Sequence, residues 1–252
     1  MSNYGVYFSP TGGVKKVVDI LVKSFPINNE VDLADKSVDF SNTVFEKDDV
    51  VIIAVPSYGG RVPSIVVERI SQMKGNGAKV VLVAVFGNRA IDDTLLELKN
   101  LVHSRNFTSV AAMEVVAEHS IMKEFGKARP DGSDINELNL FAEKILEKLK
   151  IDNSDDLVVP GNQPYKEYSG GPLKPKAGSK CNKCGKCIDR CPVEAISYSN
   201  PKETDTKKCI SCMRCIAECP NKARKLNSVV VKAAVMGMKK VCSDRKENKL
   251  YL

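Results

Sequence analysis

The first 150 residues alternate short apolar runs with stretches in which apolar residues recur at helical spacing. Almost uninterrupted apolar runs predict strands that are buried on both faces, and they lie at residues 3–9, 48–56, 78–87 and 107–119. A weaker run predicts one more strand at residues 30–33. Amphipathic patterns predict helices between and after these strands, at residues 12–25, 63–73, 91–106 and 134–150.

Strands that alternate with helices predict a parallel sheet with helices on both faces. We therefore expect an α/β fold with a doubly wound, five-stranded parallel sheet. Pro63 is expected in the first turn of its helix, and Ser133 or Asp134 is expected to cap the last one. In such folds ligands bind beyond the carboxyl ends of the central strands, so the loops that follow strands are the first candidates for a site.

The character of the chain changes after residue 150. Residues 151–178 contain four prolines and four glycines, which predicts a linker. Residues 179–226 hold eight of the nine cysteines and are predicted to form a second, small α+β domain. The basic tail at 227–252 has apolar residues at helical spacing and is predicted to be a helix that docks on the rest of the chain; its stripe is Val230, Ala233, Ala234, Met238 and Val241.

Composition narrows the class of protein. The 252 residues are 43% hydrophobic and 27% charged, as is typical of a globular protein with a core. The longest uninterrupted apolar run, residues 80–86, has seven residues, whereas a membrane-spanning helix needs about 20. The N-terminus lacks the basic and apolar regions of a secretory signal. These features predict a cytoplasmic protein without a membrane span.

The cysteines carry the most specific pattern in the chain. All nine lie beyond residue 180, and eight form two runs with the spacing Cys-x2-Cys-x2-Cys-x3-Cys-Pro. The absence of an export signal favours metal ligation over disulfides. Structural zinc sites usually combine two Cys-x2-Cys pairs separated by a longer loop, so the third closely spaced cysteine favours iron–sulfur clusters over zinc. Cys242 stands outside the pattern and is predicted to be a buried, inert thiol.

Residues 178–226 closely resemble the bacterial 2[4Fe–4S] ferredoxins. In those proteins the fourth cysteine of each run binds the other cluster, because a short helix carries it away from the first three. The resemblance implies that one [4Fe–4S] cluster is bound by Cys181, Cys184, Cys187 and Cys219. It implies that a second cluster is bound by Cys209, Cys212, Cys215 and Cys191.

The formal net charge of +7 raises the question of nucleic-acid binding. That count treats every thiol as neutral. Two four-iron clusters on thiolates would contribute about −2 each, and a phosphate-bearing cofactor about −2 more. With these groups bound the protein would be close to neutral, so nucleic acid is not an expected partner.

Three loops follow strands and should share one edge of the sheet. Residues 8–16, FSPTGGVKK, offer hydroxyls and two glycines before a helix start, where free amides and the helix dipole favour an anion. Residues 55–63, VPSYGGRVP, and 86–93, FGNRAIDD, follow the next two central strands. The first loop lacks the glycine spacings of the Walker and dinucleotide-binding motifs. The long segment 117–134 brings His119 and Ser120 to the same edge, where His119 has either a site role or a structural one.

This set of loops resembles the flavodoxin family, in which the first loop holds the FMN phosphate and the next two flank the isoalloxazine ring. The resemblance implies phosphate contacts from Ser9, Thr11, Gly12, Gly13 and Val14. It implies that one side of the ring is lined by Pro56, Ser57, Tyr58, Gly59, Gly60 and Arg61, with Tyr58 stacked on the ring. The other side would be lined by Phe86, Gly87, Asn88 and Arg89. Flavodoxins usually carry Asn and then Ser or Thr where this chain has Gly13 and Val14, so one hydroxyl contact is missing.

The whole chain resembles the flavodoxin–ferredoxin fusion proteins, or flavoferredoxins, of anaerobic bacteria. The resemblance implies an FMN domain at 1–150, a 2[4Fe–4S] ferredoxin domain at 179–226, and electron transfer between the clusters and FMN. Redox proteins would then be the partners, and a homodimer stays open.

Two other functions are weighed against an electron carrier. One is an FMN-dependent reductase of a small acceptor, such as a quinone or a nitro compound, that receives electrons from its own clusters. The other is a zinc-bearing nucleic-acid binder, which the basic tail favours slightly and the lack of an aromatic-basic platform disfavours. No nucleophile or proton-transfer pair is predicted, so the carrier is preferred and enzymatic activity stays open.

Overall fold

A computed structural model describes residues 2–151, 157–168, 170–171 and 173–252. In chain order its helices and strands are β1 (Asn3–Tyr7), α1 (Gly13–Leu21), β2 (Asn29–Asp32), a 3-10 turn (Phe40–Asn42), β3 (Val50–Pro56), α2 (Ser64–Ile70), β4 (Lys79–Phe86), α3 (Thr94–Ser104), β5 (Thr108–Val116), α4 (Gly132–Lys150), β6 (Lys176–Ala177), α5 (Lys186–Asp189), α6 (Arg214–Ala217), β7 (Arg224–Lys225), α7 (Ser228–Cys242) and β8 (Lys249–Tyr251).

The first five strands form a parallel sheet in the order β2–β1–β3–β4–β5. This is the flavodoxin-like order of doubly wound folds. The central strands β3 and β4 are buried along nearly their whole length, because helices cover both of their faces. The predicted α/β fold with five parallel strands is therefore confirmed.

A sixth strand was not predicted. β8 pairs antiparallel with the edge strand β5, with Tyr251 opposite Ala112. Just before it, the side chain of Asn248 accepts a hydrogen bond from the backbone N–H of Val116 at 2.9 Å and donates one to Asp134 at 2.9 Å. The C-terminal tail therefore continues beyond its helix and closes one edge of the sheet.

The predicted N-terminal residues of α4 and α2 differ from those in the structure. α4 begins at Gly132, and Asp131 caps it through a reciprocal capping box with Asp134. The run Asp-Gly-Ser-Asp offers three capping side chains, and the sequence alone did not distinguish among them. Pro63 lies at the N-cap position of α2 and not inside its first turn.

The sheet separates two apolar cores. The core on the side of α1 and α4 is built from residues of the first 150 positions and from Leu250. The core on the side of α2 and α3 also takes in Cys212, with Val193 and Ile210 packed against it. The cysteine-rich segment therefore lies on the α2/α3 side of the sheet.

The cysteine-rich segment has an internal repeat. β6 and β7 pair antiparallel, and each of the short helices α5 and α6 starts after a residue in the left-handed conformation, Gly185 with φ 80 and Met213 with φ 63. Its contact with the sheet domain includes Arg69, whose Nη2 donates to the Pro192 carbonyl at 3.0 Å. This anchor fixes the segment beside the carboxyl ends of the strands.

The predicted tail helix is present as α7, but its docking is partial. Ala234, Val235 and Met238 pack against a small cluster of Met122, Phe125 and Cys242. Val230 and Val241, two members of the predicted stripe, remain 44% and 48% exposed. Cys242 is buried, as expected of an inert thiol. In the part of the chain that the structure describes, no helix is both long and apolar enough to cross a membrane.

Candidate cofactor sites

The loops after β1, β3 and β4 enclose a partly open cavity of about 230 Å³, here called the strand-end cavity. Residues 117–122 after β5 form a further wall. The wall facing the cysteine-rich segment is completed by Tyr168, Gly171, Ile210 and Ser211. The cavity lies where the strand order reverses between β1 and β3, which is the usual ligand position in folds of this class.

Most residues that the flavodoxin resemblance singled out meet at this cavity. They come from four separate loops, which the sheet brings to one edge. Those that line it are Ser9, Thr11, Gly13, Val14, Pro56, Ser57, Tyr58, Gly59, Phe86, Gly87, His119 and Ser120.

Two glycines and one arginine of the predicted set do not line the cavity. Gly12 forms the turn before α1 with φ 91, and Gly60 faces Asp92, whose Oδ2 would lie 2.2 Å from an added Cβ. Arg89 forms an ion pair with Asp92. These residues shape the loops behind the cavity wall and do not reach its lining.

Arg61 and Asn88 also lie outside the lining, because each serves a structural contact. Arg61 forms a two-pronged ion pair with Glu97, with N–O distances of 2.8 and 2.7 Å. Asn88 is buried, and its Nδ2 donates to the carbonyl of Cys242 at 2.6 Å. Asn88 therefore ties the loop after β4 to the end of α7.

The first loop is built to hold an anion. The Ser9 hydroxyl accepts a hydrogen bond from the Lys15 amide at 2.8 Å, which fixes the loop against the first turn of α1. Three backbone amides of this loop have no acceptor among the described residues, namely those of Thr11, Gly13 and Val14. Free amides at a helix start suit a phosphate group. Backbone donors are thus available beside position 14, where the hydroxyl is missing.

Two tyrosines form an aromatic corner between the strand-end cavity and the cysteines. Gly59 has φ 62, and a Cβ there would lie 2.2 Å from the Tyr168 ring, so only glycine allows this close approach. Tyr58 packs edge-on against Phe8, with ring centroids 6.5 Å apart. Burial raises the pKa of Tyr58 well above its ordinary value, and the nearby Cys212 adds to the rise. Tyr58 therefore reaches from the cavity to the cysteine-rich segment.

His119 combines a structural role with a place in the cavity wall. Its Nδ1 accepts hydrogen bonds from the amides of Ile121 at 3.1 Å and Met122 at 3.2 Å. Burial lowers the pKa of His119, so the neutral ring that can accept these bonds is favoured. The imidazole also packs against Gly87, where a Cβ would be 2.6 Å from the ring.

The eight repeated cysteines line two further cavities. The outer cluster cavity is lined by Cys181, Cys184, Cys187 and Cys219. The inner cluster cavity is lined by Cys191, Cys209, Cys212 and Cys215. Each cavity thus draws three cysteines from one run and the fourth from the other, which is the crosswise arrangement expected from the spacing.

The thiols of each cavity surround a volume and do not meet at a point. Among the described residues no group of three or more His, Cys, Asp or Glu side chains is placed to hold a single metal ion. A [4Fe–4S] cluster is held by four cysteines that surround it, so a surrounding arrangement fits it. Burial raises the pKa of both Cys212 and Cys215 to about 12, so metal binding must displace their protons.

Each cluster cavity is also lined by a buried arginine with one unused donor. Arg214 lines the inner cavity and Arg224 the outer one, and they are only 4% and 2% exposed. Arg214 Nη1 and Arg224 Nε have no hydrogen-bond partner. A buried donor without an acceptor costs about 1–3 kcal/mol. Sulfur atoms of a bound cluster would supply acceptors, so both cavities fit such a group.

The two cluster cavities differ in their relation to the strand-end cavity. Ile210 lines both the inner cluster cavity and the strand-end cavity. The outer cavity is lined by residues of the cysteine-rich segment alone. The inner cluster cavity therefore adjoins the strand-end cavity, whereas the outer cavity shares no lining residue with it.

Three kinds of residue that line these cavities were not predicted from the sequence. Tyr168 stands in the Pro- and Gly-rich linker close to Tyr165, and the sequence does not show which of these tyrosines reaches the cavity. Ile210 and Ser211 are the residues between two ligand cysteines, and their spacing says nothing about the neighbouring domain. From the sequence, Arg214 and Arg224 are expected to be ordinary surface charges. In the structure both are buried, because the segment packs around them.

Residues 175–220 match the family model described as 4Fe-4S dicluster domain. A comparison with curated proteins finds no match.

Among solved structures, a flavodoxin from Streptococcus pneumoniae TIGR4 is 19% identical, with a TM-score of 0.41 over 59% of this chain and 99% of that one. Flavodoxin 1 from Bacillus cereus is 13% identical, with a TM-score of 0.42 over 58% and 98%. Rubredoxin oxygen:oxidoreductase from Desulfovibrio gigas is 16% identical, with a TM-score of 0.42 over 59% of this chain and 36% of that one. The fold itself is defined by the strand order of the sheet. The chain thus joins a domain with flavodoxin-like strand order to a segment that matches the 4Fe-4S dicluster domain family.

Proposed function

We propose that the chain is an electron-transfer protein that passes electrons between two [4Fe–4S] clusters and an FMN. The observation that carries this proposal is that the inner cluster cavity and the strand-end cavity share the lining residue Ile210. When bound, clusters exchange single electrons and FMN exchanges one or two. The fold's contribution is to hold all three groups in one series.

The chain's own residues divide the work of binding and shielding. The free amides of the first loop hold the phosphate, and Tyr58 and Gly59 with His119 form walls for the ring. Tyr58 and Tyr168 line the strand-end cavity on the side that faces Ile210 and Ser211 of the cysteine-rich segment. The outer cavity takes the position farthest from FMN, with Cys184 exposed at the surface.

Anaerobic purification followed by rapid reduction tests this function. The intact protein should contain about eight irons and one FMN, and electrons supplied to the clusters should appear on the flavin. Cys215→Ala removes one of the four cysteines of the inner cavity and leaves Ile210 and Ser211 unsubstituted. We expect this variant to retain FMN and to reduce it much more slowly, measured by flavin absorbance alongside electron paramagnetic resonance of the clusters.

Cys242→Ala is the matched control, because Cys242 is a buried cysteine outside both cluster cavities. It should leave the metal content and the rate of flavin reduction unchanged. A preparation that holds zinc in place of iron, or a Cys215→Ala variant with unchanged flavin reduction, contradicts the proposal.

A second cavity favours the reductase as an alternative function. It has a volume of about 500 Å³, within the range of small-molecule sites, and Tyr58 and Tyr168 separate it from the strand-end cavity. Lys207, Lys208 and Cys209 line its other side. Turnover of quinones and nitro compounds under anaerobic conditions would establish the reductase; electron delivery to redox proteins without such turnover supports the carrier.

A further inference from the structure

We propose that the surface around the outer cluster cavity is the docking site for an acidic redox protein, and that electrons enter or leave the chain there. This inference rests on the proposed function. It follows from the exposure of the outer cavity and from the charge around it.

The two cluster cavities differ in exposure. Cys184 of the outer cavity is exposed, and Cys181, Cys187 and Cys219 are half-buried. In the inner cavity Cys191 and Cys212 are buried. Because an electron can pass between proteins only where a cofactor comes near the surface, the outer cavity is the better point of exchange.

The rim of the outer cavity is cationic. Lys183 and Lys186 line it, and Lys180 and Lys222 adjoin its lining residues Cys181 and Asn221. All four lysines are exposed. Only Lys186 has an acidic partner among the described residues, Glu218 at 3.8 Å.

The acidic residues near the rim are already engaged. Glu218 also accepts hydrogen bonds from Arg190 and Arg214, and Asp189 accepts one from the hydroxyl of Tyr198. The lysines at 180, 183 and 222 therefore project positive charge toward solvent.

The positive charge exceeds what the clusters themselves would neutralise. Residues 173–226 hold thirteen Lys and Arg against five Asp and Glu. Two clusters would add about four negative charges, which leaves the loaded segment cationic by about four. A surface of this sign attracts and orients a partner whose cofactor is surrounded by Asp and Glu.

The test measures electron exchange with a reduced, acidic [2Fe–2S] ferredoxin of the plant type as the probe. The variant is the triple substitution Lys180→Asp, Lys183→Asp and Lys222→Asp. Aspartate is chosen because Lys183 and Lys222 have φ values of 60 and 47, a region that Asp tolerates. The control is the triple substitution Lys23→Glu, Lys47→Glu and Lys144→Glu, at exposed lysines of the sheet domain, which changes the net charge equally.

At low ionic strength we expect the rim variant to react with the probe at least about tenfold more slowly than the unsubstituted protein, and the rate to depend less on salt. The control variant should stay within about twofold. Cytochrome c, a basic redox protein, should react faster with the rim variant. Equal slowing in both variants would show an effect of net charge alone, and no slowing in either would show docking elsewhere; both results overturn the proposal.

Cluster signals and the flavin signal are followed separately. If the probe reduces the clusters and the flavin stays oxidised, the docking surface stands and the proposed internal transfer to FMN fails. If dithionite drives electrons from the clusters to the flavin while rim substitutions have no effect with the probe, the internal transfer stands and the docking surface fails.

Discussion

Arg214 illustrates how a single buried residue can set the chemistry of a cluster. Its Nε donates to Glu218 at 3.1 Å, and Asp32 of the sheet domain lies 3.5 Å from Nη2. Nη1 is left without a partner beside the inner cavity. A positive charge and an N–H donor next to a cluster stabilise its reduced, more negative form.

Arg214→Gln should therefore lower the reduction potential of one cluster. For one-electron transfer a loss of about 1.4 kcal/mol corresponds to roughly 60 mV, and shifts of this order are expected. Potentiometric titration followed by electron paramagnetic resonance gives the value for each cluster. Arg190→Gln is the control, since Arg190 shares the Glu218 partner but is exposed; similar shifts in both variants would contradict a specific role of Arg214.

Gly59 is a second residue whose substitution should affect FMN binding, because its lack of a side chain lets the Tyr168 ring lie against the strand-end cavity. Gly59→Ala meets both a left-handed φ of 62 and a contact of 2.2 Å with that ring. A left-handed alanine costs about 1–2 kcal/mol. We expect the free loop to relieve this cost by leaving the conformation that FMN requires, so FMN should bind roughly tenfold more weakly. Flavin fluorescence titration of the apoprotein measures this, with Gly132→Ala as control, since a Cβ there meets nothing within 4 Å. An unchanged FMN affinity in Gly59→Ala would contradict a contribution of Tyr168 to the FMN site.

At the residue scale the sequence was informative wherever chemistry depends on spacing along the chain. The cysteine sets follow from the resemblance that the two- and three-residue intervals show to the bacterial ferredoxins, and the first loop follows from its position between a strand and a helix. Asn88 and Arg89 were misplaced because a loop's sequence does not show which side chains turn back into the fold. Asn88 instead binds carbonyls of Cys242 and Asp244, more than 150 positions away.

The loop between β5 and α4 shows at the element scale how one histidine can hold a cavity wall. His119 Nδ1 accepts hydrogen bonds from two backbone amides of this loop. It can accept them only when Nδ1 carries no proton, which requires the neutral imidazole. Because burial lowers the pKa of His119 in the folded protein, the unfolded chain binds the proton more readily. The stability that this residue contributes is therefore complete above the ordinary histidine pKa of about 6.5 and is lost as the pH falls below it.

Acidification should thus loosen the loop and weaken FMN binding. We expect the FMN affinity of the unsubstituted protein to stay constant above about pH 6.5 and to fall as the pH is lowered below that value. His119→Gln should flatten this dependence. The chain has one other histidine, so His103→Gln is a complete control and should keep the full dependence; the same flattening in both variants would rule out His119.

The elements themselves were predictable where apolar periodicity is long. Strands β3 and β4 are continuous apolar runs, and all four helices of the sheet domain were placed within a few residues. β8 was missed because three residues cannot show a period, and its place is set by Asn248, which bonds to the Val116 amide and to Asp134. That contact joins parts of the chain more than 110 residues apart, which no local pattern reveals.

On the scale of the whole molecule, the sheet domain and the cysteine-rich segment differ in what stabilises them. One core of the sheet domain contains no residue of the cysteine-rich segment. The segment's own apolar cluster is small, and its buried members are Ile188, Cys191, Ala195 and Ile196. Ligand bonds to the clusters must therefore supply most of the stability of this segment, as in other small metal-bound domains.

Removal of iron should for this reason unfold the segment and leave the sheet domain folded. Chelation under reducing conditions is expected to abolish the cluster signals while far-ultraviolet circular dichroism retains most of its helix and sheet intensity. FMN should bind more weakly in the same sample, because Ile210 and Ser211 of the segment form part of the strand-end cavity.

The comparison that separates these effects uses one protein in three states. Flavin affinity is measured with clusters present, after chelation, and after reconstitution with iron and sulfide. Weakening on chelation that reverses on reconstitution shows that the loaded segment serves as a wall of the flavin site as well as an electron path. If the flavin affinity is the same with and without iron, the sheet domain alone forms the flavin site. In that case Ile210 contributes nothing to flavin binding.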